Sequence, residues 1–264
     1  MVSPDAPHTR CSVKRVKLDS GEVLFHMYQN NGEHLLTARP TGKKDGSMCF
    51  SQFKQESQHC IAELRPGKDK GEFGLWFNRE GLVRTASGNG AENGQEICTI
   101  CHDAVRDTPL YSMRVSVPDM ATSERMGLAS PEKDGYGRGH SPEPDVSASG
   151  DSWVRLRTKV PEWNEEMQSY TLDYNGRARL ASAKNFQLEE APGSATSASS
   201  KSAATSFSKG RSKSERRKSR RAMALAGVRL QFGKYDDNTF NLDYLHPLCG
   251  MQALAIALTT ASWT

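Results

Sequence analysis

VRLQFGKYDDNTFNLDYLHPLCGMQALAIAL, residues 228–258, carries two periodicities one after the other. Val228, Leu230 and Phe232, and then Phe240, Leu242 and Tyr244, alternate with polar residues. A period of two sends successive side chains to opposite faces, so each run reads as a strand that buries one face and wets the other. Asp236, Asp237 and Asn238 between the runs supply the turn that joins them. After Pro247 the pattern changes. Leu248, Cys249, Met251, Ala253, Leu254, Ala255, Ile256, Ala257 and Leu258 put apolar groups on every side of a helix, with Gln252 the polar interruption. Pro247 suits the first helical turn, where its missing N–H costs nothing. A helix that is apolar all round must be buried all round. One such helix, over 247–258, behind a series of strands predicts an apolar plug inside a closed sheet.

Moving outward, the rest of the patterned sequence is also strand-like. Short alternating or apolar runs lie at 154–160, 169–174 and 178–188, with Asn175-Gly176 offering the positive φ angles of a tight hairpin. Earlier runs lie at 12–17, 23–28, 34–38, 47–53, 60–64, 72–77, 81–86, 96–102 and 111–117, punctuated by Gly, Asn and Asp. Many short strands of this kind give the rhythm of a barrel or a sandwich.

Two stretches break the pattern. Residues 121–152 have no hydrophobic periodicity, contain Pro131, Pro142 and Pro144 and are rich in Gly and Ser, so they read as a linker. Residues 189–222 hold nine basic residues against Glu189, Glu190 and Glu215, a net of +6, which leaves −2 for the rest of a chain whose total is +4. The basic balance therefore belongs to one insert, and its densest part is KGRSKSERRKSRR at 209–221. The chain is 264 residues long but only 36% hydrophobic, as expected if such inserts lie outside the core. Its hydrophobic runs fall short of the roughly 20 residues of a spanning helix. MVSPDAPHTR has no apolar signal region, and the six cysteines form no dense framework, so a cytosolic chain with reduced thiols is expected.

The ordered motifs in the second half resemble the C-terminal domain of the Tubby and Tubby-like family. They are Pro161-Glu162-Trp163-Asn164, the Asn175-Gly176-Arg177 turn, Ala181-Ser182-Ala183-Lys184-Asn185-Phe186-Gln187, Gln231-Phe232-Gly233 and Tyr244-Leu245-His246-Pro247-Leu248-Cys249. The first half keeps HLLTARPTGKK at 34–44, Ala62-Glu63-Leu64-Arg65 and MRVSVPDM before the linker. The resemblance spans residues 11–258, interrupted by the inserts at 121–152 and 189–222, with short tails at 1–10 and 259–264. It implies a mainly β fold, a closed antiparallel 12-stranded β-barrel around one central hydrophobic α-helix. On this resemblance, none of the family's N-terminal extensions is expected within the ten residues before Cys11.

The same resemblance implies binding rather than catalysis, with no cofactor. Family members bind phosphatidylinositol 4,5-bisphosphate in a basic surface pocket and so dock on the cytoplasmic face of the plasma membrane. Some act as adaptors for membrane-protein cargo travelling into cilia, and a nuclear regulatory role has been proposed. The family's basic strand-to-loop segment matches Ala38-Arg39-Pro40-Thr41-Gly42-Lys43-Lys44, and its Lys-Leu-Arg matches Glu63-Leu64-Arg65. Arg39, Lys43, Lys44 and Arg65 are the implied head-group ligands, since multiply charged phosphates are held by forked guanidinium and mobile ammonium groups. Pro40 and Gly42 stand where further cations are usual and Glu63 replaces a Lys, so weaker or less selective binding is expected. A monomer is the expected state.

Other motifs carry less. Cys98-Thr99-Ile100-Cys101-His102 matches a haem-attachment string, but no second Cys pair completes a four-ligand zinc site and the segment reads as a strand. Glu162, Glu165 and Glu166 around Trp163 read as a solvent-exposed turn rather than paired catalytic carboxylates. No Walker loop, Rossmann glycine run, nucleophile elbow or His-x-x-x-His pair occurs, so catalytic and metal-ligating residues are expected to be absent. The 209–221 run reads as a polybasic lipid anchor, a nuclear or nucleic-acid-binding patch, or an inert insert. Only Phe207 lies near it to stack on bases.

Overall fold

The computed structural model describes residues 8–52, 59–78, 94–103, 112–119, 122–123, 152–192 and 227–260. The described strands are β1 (Thr9–Lys17), β2 (Val23–Gln29), β3 (His34–Pro40), β4 (Met48–Ser51), β5 (Ala62–Pro66), β6 (Glu72–Phe77), β7 (Gln95–Asp103), β8 (Ser112–Pro118), β9 (Trp153–Thr158), β10 (Glu162–Asn164), β11 (Ser169–Thr171), β12 (Phe186–Glu190), β13 (Val228–Lys234) and β14 (Thr239–Tyr244). One helix, α1 (Gly250–Leu258), follows. Twelve strands close an antiparallel barrel in the order β1-β14-β13-β12-β9-β8-β7-β6-β5-β4-β3-β2, and β10 with β11 forms a separate hairpin. The seam is β1, which pairs Cys11 with Leu242 of β14 on one side and Val13 with Met27 of β2 on the other. Closure leaves no exposed sheet edge, and this settles the choice between barrel and sandwich.

Inside lies one apolar core. Phe25, Met27, Phe50, Leu75, Ile100, Leu156, Leu230, Phe232 and Leu242 point inward and are buried, and every residue from Gln252 to Leu258 is buried with them. The helix is thus the plug that its all-round apolar pattern demanded. Its start differs from expectation: Pro247 lies outside it, and Cys249 is the N-cap. Gln252 explains the shift, because its Oε1 accepts from the Cys249 backbone N–H at 2.9 Å and so satisfies an otherwise orphaned donor. Gln252 Nε2 also donates to the Ile97 carbonyl at 2.8 Å. That carbonyl belongs to a bulge, since Trp76 pairs with Glu96 and Leu75 with Cys98, leaving Ile97 without an opposite number. The polar break in the helix therefore ties the plug to an irregularity in the wall.

The outer face departs from simple alternation. Gln231, Asn241 and Asp243 point away from the core yet are buried, because residues 173–185 lie across them as a strap. Only 186–188 of the expected 178–188 run is strand, as the start of β12, because Arg179 and Leu180 instead donate their backbone N–H groups to Lys234 O at 2.9 and 3.1 Å. Arg177 forks onto Asp243 with Nε to Oδ2 at 2.7 Å and Nη2 to Oδ1 at 2.5 Å. Gln231 Nε2 adds a bond to Asp243 Oδ2 at 2.8 Å, and Asn241 Nδ2 donates to Arg177 O at 2.6 Å. Gly233 permits the contact, since a Cβ there would sit 2.7 Å from that of Ala178. Asn175 and Gly176 do form a tight turn, with φ of 51° and 76°, but no barrel ladder flanks it; it begins the strap.

Several expectations fall elsewhere. The run at 81–86 and the 209–221 basic run lie outside the described residues, as does most of 121–152. The 189–222 insert begins too early by the structure. Glu189 and Glu190 are the end of β12, where Glu189 pairs with Arg157 at 2.9 Å and Glu190 with Arg229. Strand 169–174 shortens to β11, whose Tyr170 ring meets Trp163 edge-on at 5.2 Å, and Glu162, Glu165 and Glu166 beside them are solvent-exposed as expected.

Candidate anion-binding wall

Register places the candidate side chains. Ala38 and Phe50 pair across β3 and β4 and are buried in the core, so their neighbours Arg39 and Cys49, also paired, face outward. Cys49 pairs with Glu63 of β5, and Glu63 with Trp76 of β6. One outward row thus reads Arg39, Cys49, Glu63, Trp76. Arg65 is on the same face as Glu63, two residues along β5.

The β3–β4 connection delivers the lysines. Gly42 and Gly46 adopt φ of 79° and 80°, a left-handed region that favours glycine. Gly42 therefore occupies a backbone position that suits glycine. Thr41 closes the loop, donating its N–H and its hydroxyl to Ser47 O at 3.0 and 3.2 Å. Lys43 then reaches back to Glu63 Oε1 at 2.7 Å, while Arg65 holds Glu63 Oε2 with Nε at 3.0 Å and Nη2 at 2.9 Å. The Arg65 guanidinium also lies over the Trp76 ring, 5.4 Å from its centroid.

The four cations are therefore only partly convergent. Lys43 and Arg65 meet on one carboxylate, and Arg39 stands two strands from it in the same row. Lys44 is exposed and makes no ion pair among the described residues. Asp45 is in the loop too, its carboxyl held below the usual carboxylate range first by hydrogen bonds from Ser47, with Lys43 contributing. Four positive and two negative groups leave a net of +2. An incoming phosphate must share Lys43 and Arg65 with Glu63 or displace it. The Lys43 side chain is 52% exposed and that of Glu63 15%, so the lysine is free to swing while the carboxylate stays against the wall.

Sequence reasoning did not single out Trp76. The buried Leu75 beside it was the available signal, since alternation then turns Trp76 outward. The Cys98–His102 string lies in β7 as expected, with Cys98 fully buried and Cys101 on the other face. No group of three or more metal-ligating side chains occurs among the described residues.

The sequence matches the Tub family over residues 2–262. It is 36% identical over 112 residues to the proteins named king tubby of Drosophila sechellia, Drosophila yakuba and Drosophila simulans. Each match covers 42% of this chain and 18% of the relative, so the chain aligns with under a fifth of those proteins' length. The family match extends across nearly the whole sequence and agrees with the twelve-stranded barrel and its buried helix: this chain belongs to the Tub family.

Proposed function

We propose that this domain binds rather than catalyses, docking reversibly on anionic membrane through Arg39, Lys43, Lys44 and Arg65, with phosphatidylinositol 4,5-bisphosphate as the preferred head group. The observation that carries the reading is the meeting of Lys43 and Arg65 on Glu63, in the outward row that begins at Arg39. Two phosphates set apart on an inositol ring need cations from more than one strand, and this row supplies them from β3, β5 and the loop between β3 and β4. Trp76 restricts the Arg65 fork, so less freedom is lost when a phosphate binds. The cytoplasmic leaflet of the plasma membrane is the proposed site of action, with membrane-protein cargo as the proposed partner of a monomeric adaptor in trafficking, including trafficking to cilia.

Vesicle sedimentation tests the reading. Arg39→Ala, Lys43→Ala, Lys44→Ala and Arg65→Ala are each compared on phosphatidylserine vesicles with and without the bisphosphate lipid. A charge-assisted contact is worth about 1.5–3 kcal/mol, so each loss is expected to weaken bisphosphate binding roughly tenfold or more. If all four variants keep the wild-type preference for the bisphosphate, the site assignment fails. Binding to any nucleic acid with a steep salt slope, and none to lipid, would favour a nuclear role instead.

A further inference from the structure

Glycine in the middle of a strand weakens it, and often marks a place where another group approaches the backbone closely. Gly74 stands inside β6, and its φ is not in the positive range that favours glycine, so the backbone alone does not call for it. The reason lies on its outer face. A Cβ at Gly74 would sit 2.6 Å from Glu96 Oε1 and 2.8 Å from Trp76 Nε1. Two side chains therefore lean into the space that any other residue would fill.

Register explains why they gather there. Leu64 and Leu75 pair across β5 and β6 and are buried, so the next pair, Arg65 with Gly74, faces outward. Trp76 is two residues along β6 on that face, diagonal to Arg65 and within reach of a long side chain. On its other side Gly74 pairs with Thr99 of β7, and the bulge at Ile97 sets Glu96 opposite Trp76. Ile97 and Cys98 both turn inward and are buried, which leaves Glu96 on the outer face. The Arg65 guanidinium lies over the Trp76 ring, 5.4 Å from its centroid, while its Nε and Nη2 hold Glu63 at 3.0 and 2.9 Å. It thus has a carboxylate on its fork and an aromatic ring against its face. A phosphate that takes the fork from Glu63 leaves the ring contact in place, so Arg65 keeps its position through the exchange.

We propose that Gly74 is a positioning residue of the anion-binding wall: the space above it lets Trp76 lie against the Arg65 guanidinium, and this seat makes recognition of a phosphorylated head group depend on the direction of the Arg65 fork as well as on charge. The inference rests on the membrane-docking reading and adds to it a residue that carries no charge. Anionic lipid in general is attracted by net charge, which Gly74 does not alter. A phosphate on an inositol ring is gripped by parallel N–H groups, which must point the right way. Selectivity for the phosphorylated head group is therefore the property that Gly74 controls. Alanine at 74 is compatible with the barrel, because the atoms in its way belong to two outer-face side chains and not to backbone.

Two measurements on the full chain test it. The Arg65 Nε–H, held by Glu63, gives a proton signal in the shielding zone of the Trp76 ring, identified by its loss in Arg65→Lys. In Gly74→Ala this signal is expected to move downfield, as it does when Trp76→Leu removes the ring. An unmoved signal in Gly74→Ala overturns the proposal without any lipid. The second measurement is sedimentation on phosphatidylserine vesicles with and without phosphatidylinositol 4,5-bisphosphate. Gly74→Ala is expected to lower the preference for the bisphosphate roughly twofold to fivefold, the worth of a partly exposed contact between a cation and a ring, and to add nothing to the loss in Arg65→Ala. Trp76→Leu, which puts no extra atoms at 74, should show the same fall, so the test does not depend on how Gly74→Ala folds. A full wild-type preference in either variant, an equal fall on both vesicle types, or a further fall when Gly74→Ala is added to Arg65→Ala overturns the proposal. Loss of preference in Arg65→Ala but not in Gly74→Ala overturns this inference alone, whereas a wild-type chain with no preference overturns the docking reading and the selectivity role together.

Discussion

Glu63 sets the electrostatics of the outer wall. It stands where the sequence resemblance led one to expect a lysine, and it holds two of the four candidate cations at 2.7 to 3.0 Å. Partly exposed ion pairs of this kind contribute only about 0–1 kcal/mol, so Glu63 is a competitor for a phosphate more than a source of stability. Glu63→Gln keeps the shape and removes the charge. It is expected to tighten binding to bisphosphate vesicles roughly threefold to tenfold while shifting the melting temperature little. Sedimentation at fixed salt measures the first effect and a thermal melt the second; unchanged or weaker binding would mean that Lys43 and Arg65 do not meet the head group. The cysteines teach a related lesson. Cys98 and Cys101 have a ligand-like spacing, but on a strand three residues apart means opposite faces.

At the scale of elements, the strap over β13 and β14 departs most from its sequence pattern. Its Ala-Arg-Leu-Ala-Ser run alternates well enough to read as a strand, yet its backbone bonds go to the end of β13 and its Arg177 goes to Asp243. The Asp243 side chain is only 2% exposed, so its charge depends on the fork from Arg177 and the amide of Gln231. Removing one partner of a buried pair leaves the other charged without compensation, at a cost of about 3–5 kcal/mol. Arg177→Ala is therefore expected to lower stability by that amount, a large part of the roughly 5–15 kcal/mol typical of a domain. The double variant Arg177→Met with Asp243→Leu should lose less, because no orphaned charge remains. Denaturant titration separates them, and an Arg177→Ala variant within about 1 kcal/mol of wild type would show that the strap does not seal Asp243.

For the molecule as a whole, barrel closure decides what the inserts cost. Glu189 of β12 stands opposite Val228 of β13, so the chain leaves and re-enters the barrel at neighbouring points. Loop-closure entropy changes by only about 0.6 kcal/mol per doubling of length. Replacing residues 193–226 by a short Gly/Ser link should thus leave the melting temperature within a few degrees of wild type. A deletion that starts at 189 should do worse, since it removes the Glu189–Arg157 and Glu190–Arg229 pairs and the end of β12. Differential scanning calorimetry of both deletions checks this. Loss of cooperative unfolding in the 193–226 replacement would mean that those residues pack against the barrel.

What the sequence determined by itself was the set of inward-facing residues. Val228, Leu230, Phe232, Phe240 and Leu242 are buried where the period of two put them, and the apolar run ending at Leu258 is buried on all sides. Burial of this kind follows from composition along one segment, so a single strand or helix reveals it. What only the tertiary structure decided was the outer face. Gln231, Asn241 and Asp243 read as solvent-facing until the strap covers them, and the meeting of Lys43 with Glu63, which also holds Arg65, requires residues 20 positions apart to be brought side by side. The same holds for the tie between the helix and the wall, where Gln252 reaches the bulge at Ile97, 155 residues earlier in the chain. The physical reason is range: hydrophobic periodicity is a property of neighbours in sequence, whereas ion pairs and polar satisfaction depend on cross-strand distances that no one segment encodes.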